Sequence, residues 1–340
     1  MILITGGTGY IGSHTLVELA KANYDFLVYD NLTNSSKKSL EKVSQIINKK
    51  IIFVKGDIRD KGKLKELFTN YKINSVIHFA GLKSVNESLK NPLQYYDNNV
   101  LGTINLLNTM EEFNCKKIVF SSSATVYGDP KTTPIKENFP VGNTTNPYGT
   151  SKYMIEKILQ DLQKSDKNFK IIILRYFNPA GAHESGLIGE YPKGKPHNLF
   201  PYITQIITGE EKYLKVFGND YNTHDGTGIR DYIHVMDLAT AHVKAIDYLN
   251  SEHYNNKNSI FNIGTGVGYS VLDVLKTFEK VSGTKIPYKI VDRRKGDIAK
   301  CFTDVSNVKK ILSWEATRNL TDMCKDTLTW QKKNPFGYDK

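Results

Sequence analysis

"ILITGGTGYIG", residues 2–12, places a short apolar strand directly before a glycine-rich turn that opens a helix. Gly7, Gly9 and Gly12 fit the Gly-x-Gly-x-x-Gly spacing, and Gly6, Gly9 and Gly12 fit the Gly-x-x-Gly-x-x-Gly variant. Both spacings need glycine for a tight turn, close approach of backbone to a pyrophosphate, and close packing of helix on strand. N–H groups at the helix start then face the phosphates. The turn alone is weak evidence; its strand–turn–helix setting strengthens it. Asp30 ends the next strand, 18 residues after Gly12. A carboxylate there accepts hydrogen bonds from a ribose 2′-hydroxyl and repels a 2′-phosphate. No arginine stands near it in sequence, so NAD is expected rather than NADP. Asp57, closing "FVKGD", is a candidate to meet the adenine amino group.

Working outward, apolar strands are expected at 2–5, 26–30, 51–55, 75–79, 117–121 and 171–175. Such near-continuous runs suit strands buried on both faces of a parallel sheet. Helical patterns such as "GKLKELFTNYK" and "SKYMIEKILQDLQK" lie between them. The alternation predicts an α/β fold, a Rossmann-type doubly wound parallel sheet with right-handed crossovers. After "RYFNPAGA" (175–182) the chain becomes rich in Gly, Pro, Asn and His, and a smaller mixed α/β lobe is expected to begin near 178. "VMDLATAHVKAIDYL" and "IFNIG" read as a return to the sheet. The expected domains are therefore 1–177 plus 233–264 for the dinucleotide, and 178–232 plus 265–340 for a second ligand.

Composition narrows the function classes. The 340 residues carry a net charge of +11, but the lysines are scattered and no five basic residues run together. That argues against nucleic acid and for a small anionic ligand. No apolar run approaches the roughly 20 residues of a membrane span. The opening "MILIT" lacks the basic stretch and apolar core of a signal peptide. Three dispersed cysteines, Cys115, Cys301 and Cys324, read as reduced thiols of a cytoplasmic protein. No metal is expected, because neither His nor Cys shows ligand spacing.

"NPYGTSKYM" (146–154) sets Tyr148 four residues before Lys152. Three other Tyr-x-x-x-Lys pairs occur, at 127/131, 153/157 and 191/195. Pro130 and Pro192 interrupt two of them. Tyr153 lies about 140° round the helix from Tyr148 and faces elsewhere. Only Tyr148 opens a helix behind a proline, with its lysine one turn along the same face. Bringing a phenol from about 10 to about 7 costs roughly 4 kcal/mol. An ammonium about 4 Å away offers about that much at an effective dielectric of about 20, and the positive nicotinamide ring of NAD supplies more. A base whose strength follows the redox state of its cofactor is the expected result. Ser121, Ser122 and Ser123, ending the fifth strand, are candidates to hydrogen-bond a substrate hydroxyl.

"TGGTGYIGSH", "VIHFAGLKSVNES", "YYDNNVLGT", "SSSATVYG", "NPYGTSK", "LRYFNPAGAH", "FGNDY", "DGTGIRDYIHVMDLA" and "RRKGD" together resemble the UDP-glucose 4-epimerases (UDP-galactose 4-epimerases), which are extended short-chain dehydrogenase/reductases. The resemblance runs through nearly the whole chain. It implies that Tyr148 removes the sugar O4 proton while C4 hydride passes to NAD. It likewise implies that Lys152 lowers the tyrosine pKa and holds the nicotinamide ribose, and that Ser123 shares the O4 hydrogen bond. The NAD is tightly bound and regenerated each cycle. By the same resemblance the cofactor positions are Gly6, Gly9, Tyr10, Ile11, Gly12, Asp30, Asn31, Asn34, Ser35, Asp57, Ile58, Phe79, Ala80, Gly81, Lys83, Asn98 and Phe177, beside Tyr148 and Lys152. The second lobe resembles a clamp for a uridine diphosphate sugar, with Asn178, Asn198, Leu199, Val216, Phe217, Arg230, Arg294 and Asp297 at its contacts. The chain has only six arginines and places Arg230, Arg293 and Arg294 in this lobe. Guanidinium forks hold a pyrophosphate bidentately.

A sugar-nucleotide dehydratase shares the glycine turn and the Tyr/Lys pair, yet it needs an Asp-Glu pair where Ala124 and Thr125 stand. A non-catalytic NAD-sensing or nucleic-acid-binding protein accounts for fold and charge, but does not require Ser123, Tyr148 and Lys152 together. Cys301 stands four residues after the "RKGD" aspartate. Family members restricted to glucose and galactose have tyrosine there, so the smaller thiol predicts acceptance of N-acetylated sugars. The resemblance also implies a homodimer, paired through "NPLQYYDNNVLGTINLLNTM" and "SKYMIEKILQDL".

Overall fold

The computed structural model describes residues 1–191, 196, 198–257, 259–294 and 296–338. Lys195 of the 191/195 pair, Pro192 and Lys295 of "RRKGD" lie outside the described residues. Six strands, β1 (Ile2–Thr5), β2 (Phe26–Asp30), β3 (Ile52–Lys55), β4 (Ser75–His78), β5 (Lys117–Ser123) and β6 (Lys170–Tyr176), join the Ile260–Ile263 strand in one sheet. The order is β3-β2-β1-β4-β5-β6 and then Ile260–Ile263, all parallel. This is the doubly wound Rossmann-type sheet that the alternation predicts. The order reverses between β1 and β4, where such sheets open a crevice at their C-terminal ends.

β1, β2 and β4 are buried throughout, as their unbroken apolar runs require. β3 differs: it is an edge strand, half-exposed along its length. β5 runs two residues further at its C-terminal end than expected and β6 one, because Ser122 pairs with Arg175 and Ser123 with Tyr176. The polar ends of these two strands are part of the ladder.

Helices pack on both faces of the sheet. Leu16, Val17 and Leu19 of the Tyr10–Lys21 helix meet Leu238, Ala241 and Ala245 of the Val235–Asn250 helix over one face. Leu64, Leu106, Met110, Ile155 and Leu159 cover the other. A separate core of Phe200, Ile203, Val216, Phe278, Met323 and Leu328 holds the Leu199–Ile207, Val271–Ser282 and Leu320–Lys333 helices together. Around it lie three small sheets: Asn178–Ala180 with Tyr232–His234, Leu214–Phe217 with Tyr288–Val291, and the triple Tyr269–Ser270, Ile229–Arg230, Lys300–Cys301.

Candidate active site

Asn146 caps the Pro147–Ser165 helix by accepting the Gly149 N–H at 2.9 Å, with Pro147 in the first turn. This fixes the start of the helix, so Tyr148 and Lys152 lie one turn apart on the face that packs against β5. Lys152 is buried; its Nζ donates to the Ser121 carbonyl at 2.7 Å and stands 4.8 Å from the Phe120 ring centre. Burial lowers its pKa to about 8, opposed by the Glu156 carboxylate one turn on. The Tyr148 phenol is pushed up by burial, while a hydrogen bond with the Ser123 hydroxyl pulls it down. Ser123 Oγ accepts the Thr125 N–H at 3.2 Å and the Thr125 hydroxyl at 3.0 Å. With its lone pairs so engaged, it is oriented to donate. Of the three serines, Ser122 donates to Glu156, Ser121 is buried and lends its carbonyl to Lys152, and Ser123 is the partly exposed one.

The other three Tyr-x-x-x-Lys pairs have no such setting. Tyr127 sits in a short 3-10 turn, its hydroxyl bonded to Asn262 and Arg175. Tyr153 packs on Gly142, and Lys195 lies outside the described residues.

The glycine turn is as tight as its spacing predicts. Gly6 has φ +72°, and a Cβ there would stand 2.6 Å from the Ala80 nitrogen. A Cβ on Gly12 would meet the Gly6 carbonyl oxygen at 2.5 Å. No side chain caps the helix that starts at Tyr10, which leaves its first turn for an anion. Asp30 is held at the end of β2 by the Thr8 N–H (3.2 Å), the Leu32 N–H (2.9 Å) and the Ser35 hydroxyl (3.1 Å). Asn31 donates to Asp57 at 2.9 Å, so the two acidic positions share one corner. The fold adds an arginine that the sequence around Asp30 does not show. Arg59 binds both Asp57 oxygens and Asp97, and it holds the Asp57 carboxyl down at about 2. Arg59 is thus tied to two carboxylates.

The remaining cofactor candidates surround this turn. Phe79 and Ala80 donate their N–H groups to the Thr5 carbonyl, and a Cβ on Gly81 would stand 3.8 Å from Lys152 Nζ. Ile58 and Phe177 are buried. Asn98, also buried, donates to Asn99 Oδ1 at 2.9 Å. Ile11 lies against the core, whereas Tyr10 donates its hydroxyl to the Gly181 carbonyl at 2.6 Å. Lys83 is half-exposed and reaches Glu190 at 3.3 Å, and Glu190 also accepts from Asn198 at 2.7 Å. No contact of Asn34 bears on the pocket.

In the second lobe Arg230 donates to the Ile229 and Ile298 carbonyls, both at 2.9 Å, and stands 3.8 Å from Asp297. Arg294 lies over the Phe217 ring at 3.8 Å, beside buried Val216, and Leu199 begins the helix that follows Asn198. Asn178 is exposed, with its N–H on the Asp231 carbonyl. Arg293 turns away to Asp220 at 2.7 Å and stacks on Tyr221. Cys301 pairs with Arg230 across two strands and packs against the cluster of Phe177, Val126 and Ala124. Burial raises its thiol to about 11. His224, Asp225 and Asp273 come within 4.8 Å of one another, but both carboxylates accept loop and helix-cap hydrogen bonds.

Sequence reasoning misses Glu156, Arg175, Asn99 and Asp231. Asn99 bridges Leu82 and Ser151, and Asp231 accepts from Thr265, Gly266 and Thr303. No spacing signal marks them, because each acts through partners distant in the chain.

The family model for GDP-mannose 4,6 dehydratase matches residues 3–327. The UDP-glucose 4-epimerase of Pasteurella multocida (strain Pm70) is 59% identical over 338 residues, 99% of each chain. A crystal structure of the Bifidobacterium longum UDP-glucose 4-epimerase, in complex with NAD+ and UDP, superposes with a TM-score of 0.94 at 52% identity over 99% of both chains. The UDP-Glc/GlcNAc 4-epimerase of Campylobacter jejuni follows the same fold, with a TM-score of 0.84 at 39% identity over 98% of this chain and 99% of that one. The chain belongs to the extended short-chain dehydrogenase/reductases that this family model describes, and among them to the UDP-glucose 4-epimerases, which are NAD-dependent isomerases. No helix among the described residues is long and apolar enough to cross a membrane.

Proposed function

We propose that the chain interconverts UDP-glucose and UDP-galactose through a 4-keto sugar, with NAD resident throughout. The glycine turn, the uncapped Tyr10–Lys21 helix start, Asp30 and Asp57 fit a dinucleotide in both shape and charge. When bound, NAD takes the C4 hydride and returns it to the opposite face of the sugar. The chain's own groups handle the proton. Tyr148 removes it from O4, Ser123 donates a hydrogen bond to the same oxygen, and Lys152 stabilises the phenolate. Arg230 and Arg294 hold the diphosphate, with Asp297, Asn178, Asn198, Leu199, Val216 and Phe217 around the nucleotide. Ala124 and Thr125 offer no acid or base for water elimination, so the turned-over sugar keeps all its oxygens.

One observation carries this reading: Ser123 ends β5 with its hydroxyl beside the Tyr148 phenol, at the C-terminal edge of the sheet, with Lys152 one turn further on the helix. Purified protein given UDP-galactose and no added cofactor is expected to form UDP-glucose. If supplied NAD also yields none, the reading fails.

Three further parts of the proposal rest on the same frame. Residues 1–177 and 233–264 form the cofactor domain, and 178–232 and 265–340 the UDP-sugar lobe. Cys301 leaves room for an acetamido group, so UDP-GlcNAc and UDP-GalNAc are also substrates; the thiol packs against the cluster that contains Phe177 and Val126. The chain works as a cytoplasmic homodimer. Supporting this pairing, Leu93, Leu101 and Met154 are exposed on the two segments expected to meet.

A further inference from the structure

Directly beneath the reacting groups lies a buried polar set that the mechanism does not use. Ser122 Oγ donates to Glu156 Oε1 at 2.5 Å. Arg175 closes on both Glu156 oxygens, Nε to Oε1 at 3.0 Å and Nη2 to Oε2 at 2.6 Å. All three side chains are buried, with Arg175 only 2% exposed. Arg175 is also the cross-strand neighbour of Ser122, and its Nη1 reaches the Tyr127 hydroxyl at 2.8 Å and the Glu137 carbonyl at 3.1 Å.

Glu156 follows Lys152 by one turn on the same helix. The helix is therefore fixed to the end of β5 at two successive turns, by Lys152 on the Ser121 carbonyl and by Glu156 on the Ser122 hydroxyl. A buried ion pair adds little net stability over apolar packing of the same volume. What this pair supplies is a directional link between the strand that carries Ser123 and the helix that carries Tyr148. We propose that Glu156, with Arg175 as its counter-ion, is a positioning residue that acts through Ser122 to set the Ser123 hydroxyl against the Tyr148 phenol. The inference rests on the epimerase reading of Ser123 and Tyr148.

Ser122→Ala cuts the link without changing any charge. The expected result is kcat lower by about tenfold, the scale of a small misplacement of reacting groups, with KM, retained NAD and thermal midpoint unchanged. In Glu156→Gln an amide NH2 donor replaces Oε2 opposite the Arg175 Nη2 donor, so the side chain must turn away from its present contacts and kcat falls at least as far. Glu156→Gln combined with Arg175→Met removes that facing donor, leaves the amide oxygen on Ser122 and recovers activity. Ser122→Ala with kcat within twofold of wild type overturns the proposal. So does a loss of kcat that appears only together with a lowered thermal midpoint. A wild-type protein that does not interconvert the sugars at all defeats the functional reading instead.

Discussion

Tyr148 and Lys152 lie where burial works against both of them: it raises the phenol and lowers the ammonium. Their chemistry therefore depends on neighbours, and those neighbours were unequally visible in the sequence. The spacing of Tyr148 to Lys152 and the proline before it could be read directly. The hold on Lys152 by the Ser121 carbonyl could not, because a backbone acceptor leaves no residue signature. Sequence also offers three serines, and only the fold shows that Ser121 and Ser122 are buried while Ser123 is partly exposed. Cys301 belongs to this scale as well. Replacing it with tyrosine puts a ring against the cluster that contains Phe177 and Val126. Cys301→Tyr is predicted to reduce kcat/KM on UDP-GlcNAc at least about tenfold while changing UDP-glucose by less than about threefold, the discrimination that steric fit provides. Steady-state assays on both sugars check this, and equal losses on the two contradict a gate.

At the scale of elements, the strand–turn–helix unit was the most legible part, since every requirement is local. Gly6 at φ +72° and Gly12 pressed on the Gly6 carbonyl leave no room for a side chain. Gly12→Ala is predicted to cost about 1–3 kcal/mol of stability through overpacking, and to lose NAD on gel filtration. Urea unfolding together with the cofactor content of the purified protein tests this; a stable variant with full cofactor refutes it. The C-terminal ends of β5 and β6 were less legible. "SSS" and "RY" break the apolar run that marks a buried strand, yet they stay in the ladder because Ser122, Glu156 and Arg175 satisfy one another. A carboxylate and a guanidinium 19 residues apart have no period by which sequence can pair them.

For the molecule as a whole, the sheet class follows from alternation and from right-handed crossovers, whereas the strand order comes from the structure. The return of Ile260–Ile263 to the sheet was visible as well, because "IFNIG" carries the same apolar signature as the earlier strands. The second lobe was legible mainly as a change of composition: its two- to four-residue strands are too short for periodicity to register. Its charge logic was clearer than its architecture, although Arg293 and Arg294 part company, one to Asp220 and one to Phe217. The proposed pairing of protomers also belongs to this scale. Leu93 is 80% exposed and Leu101 45%. A pair of helices presenting such side chains gains about 25 cal/mol for each Å² of apolar surface it covers. Leu93→Glu places a charge in that face and is predicted to shift the protein from twice the chain mass to the chain mass in light scattering. Wild type at the mass of a single chain contradicts the dimer.

The central claim is that a buried ammonium makes the Tyr148 phenol a base. On this account, kcat of the wild type is predicted to rise with pH as Tyr148 loses its proton, helped by the positive charge of Lys152. Removing that charge disfavours the phenolate, so the tyrosine must titrate at higher pH. The most direct measurement is the pH dependence of kcat for wild type and Lys152→Ala on UDP-galactose, with fold and NAD content verified for both. The account predicts an acid limb displaced to higher pH in Lys152→Ala; a limb that stays in place while the variant holds its cofactor contradicts it.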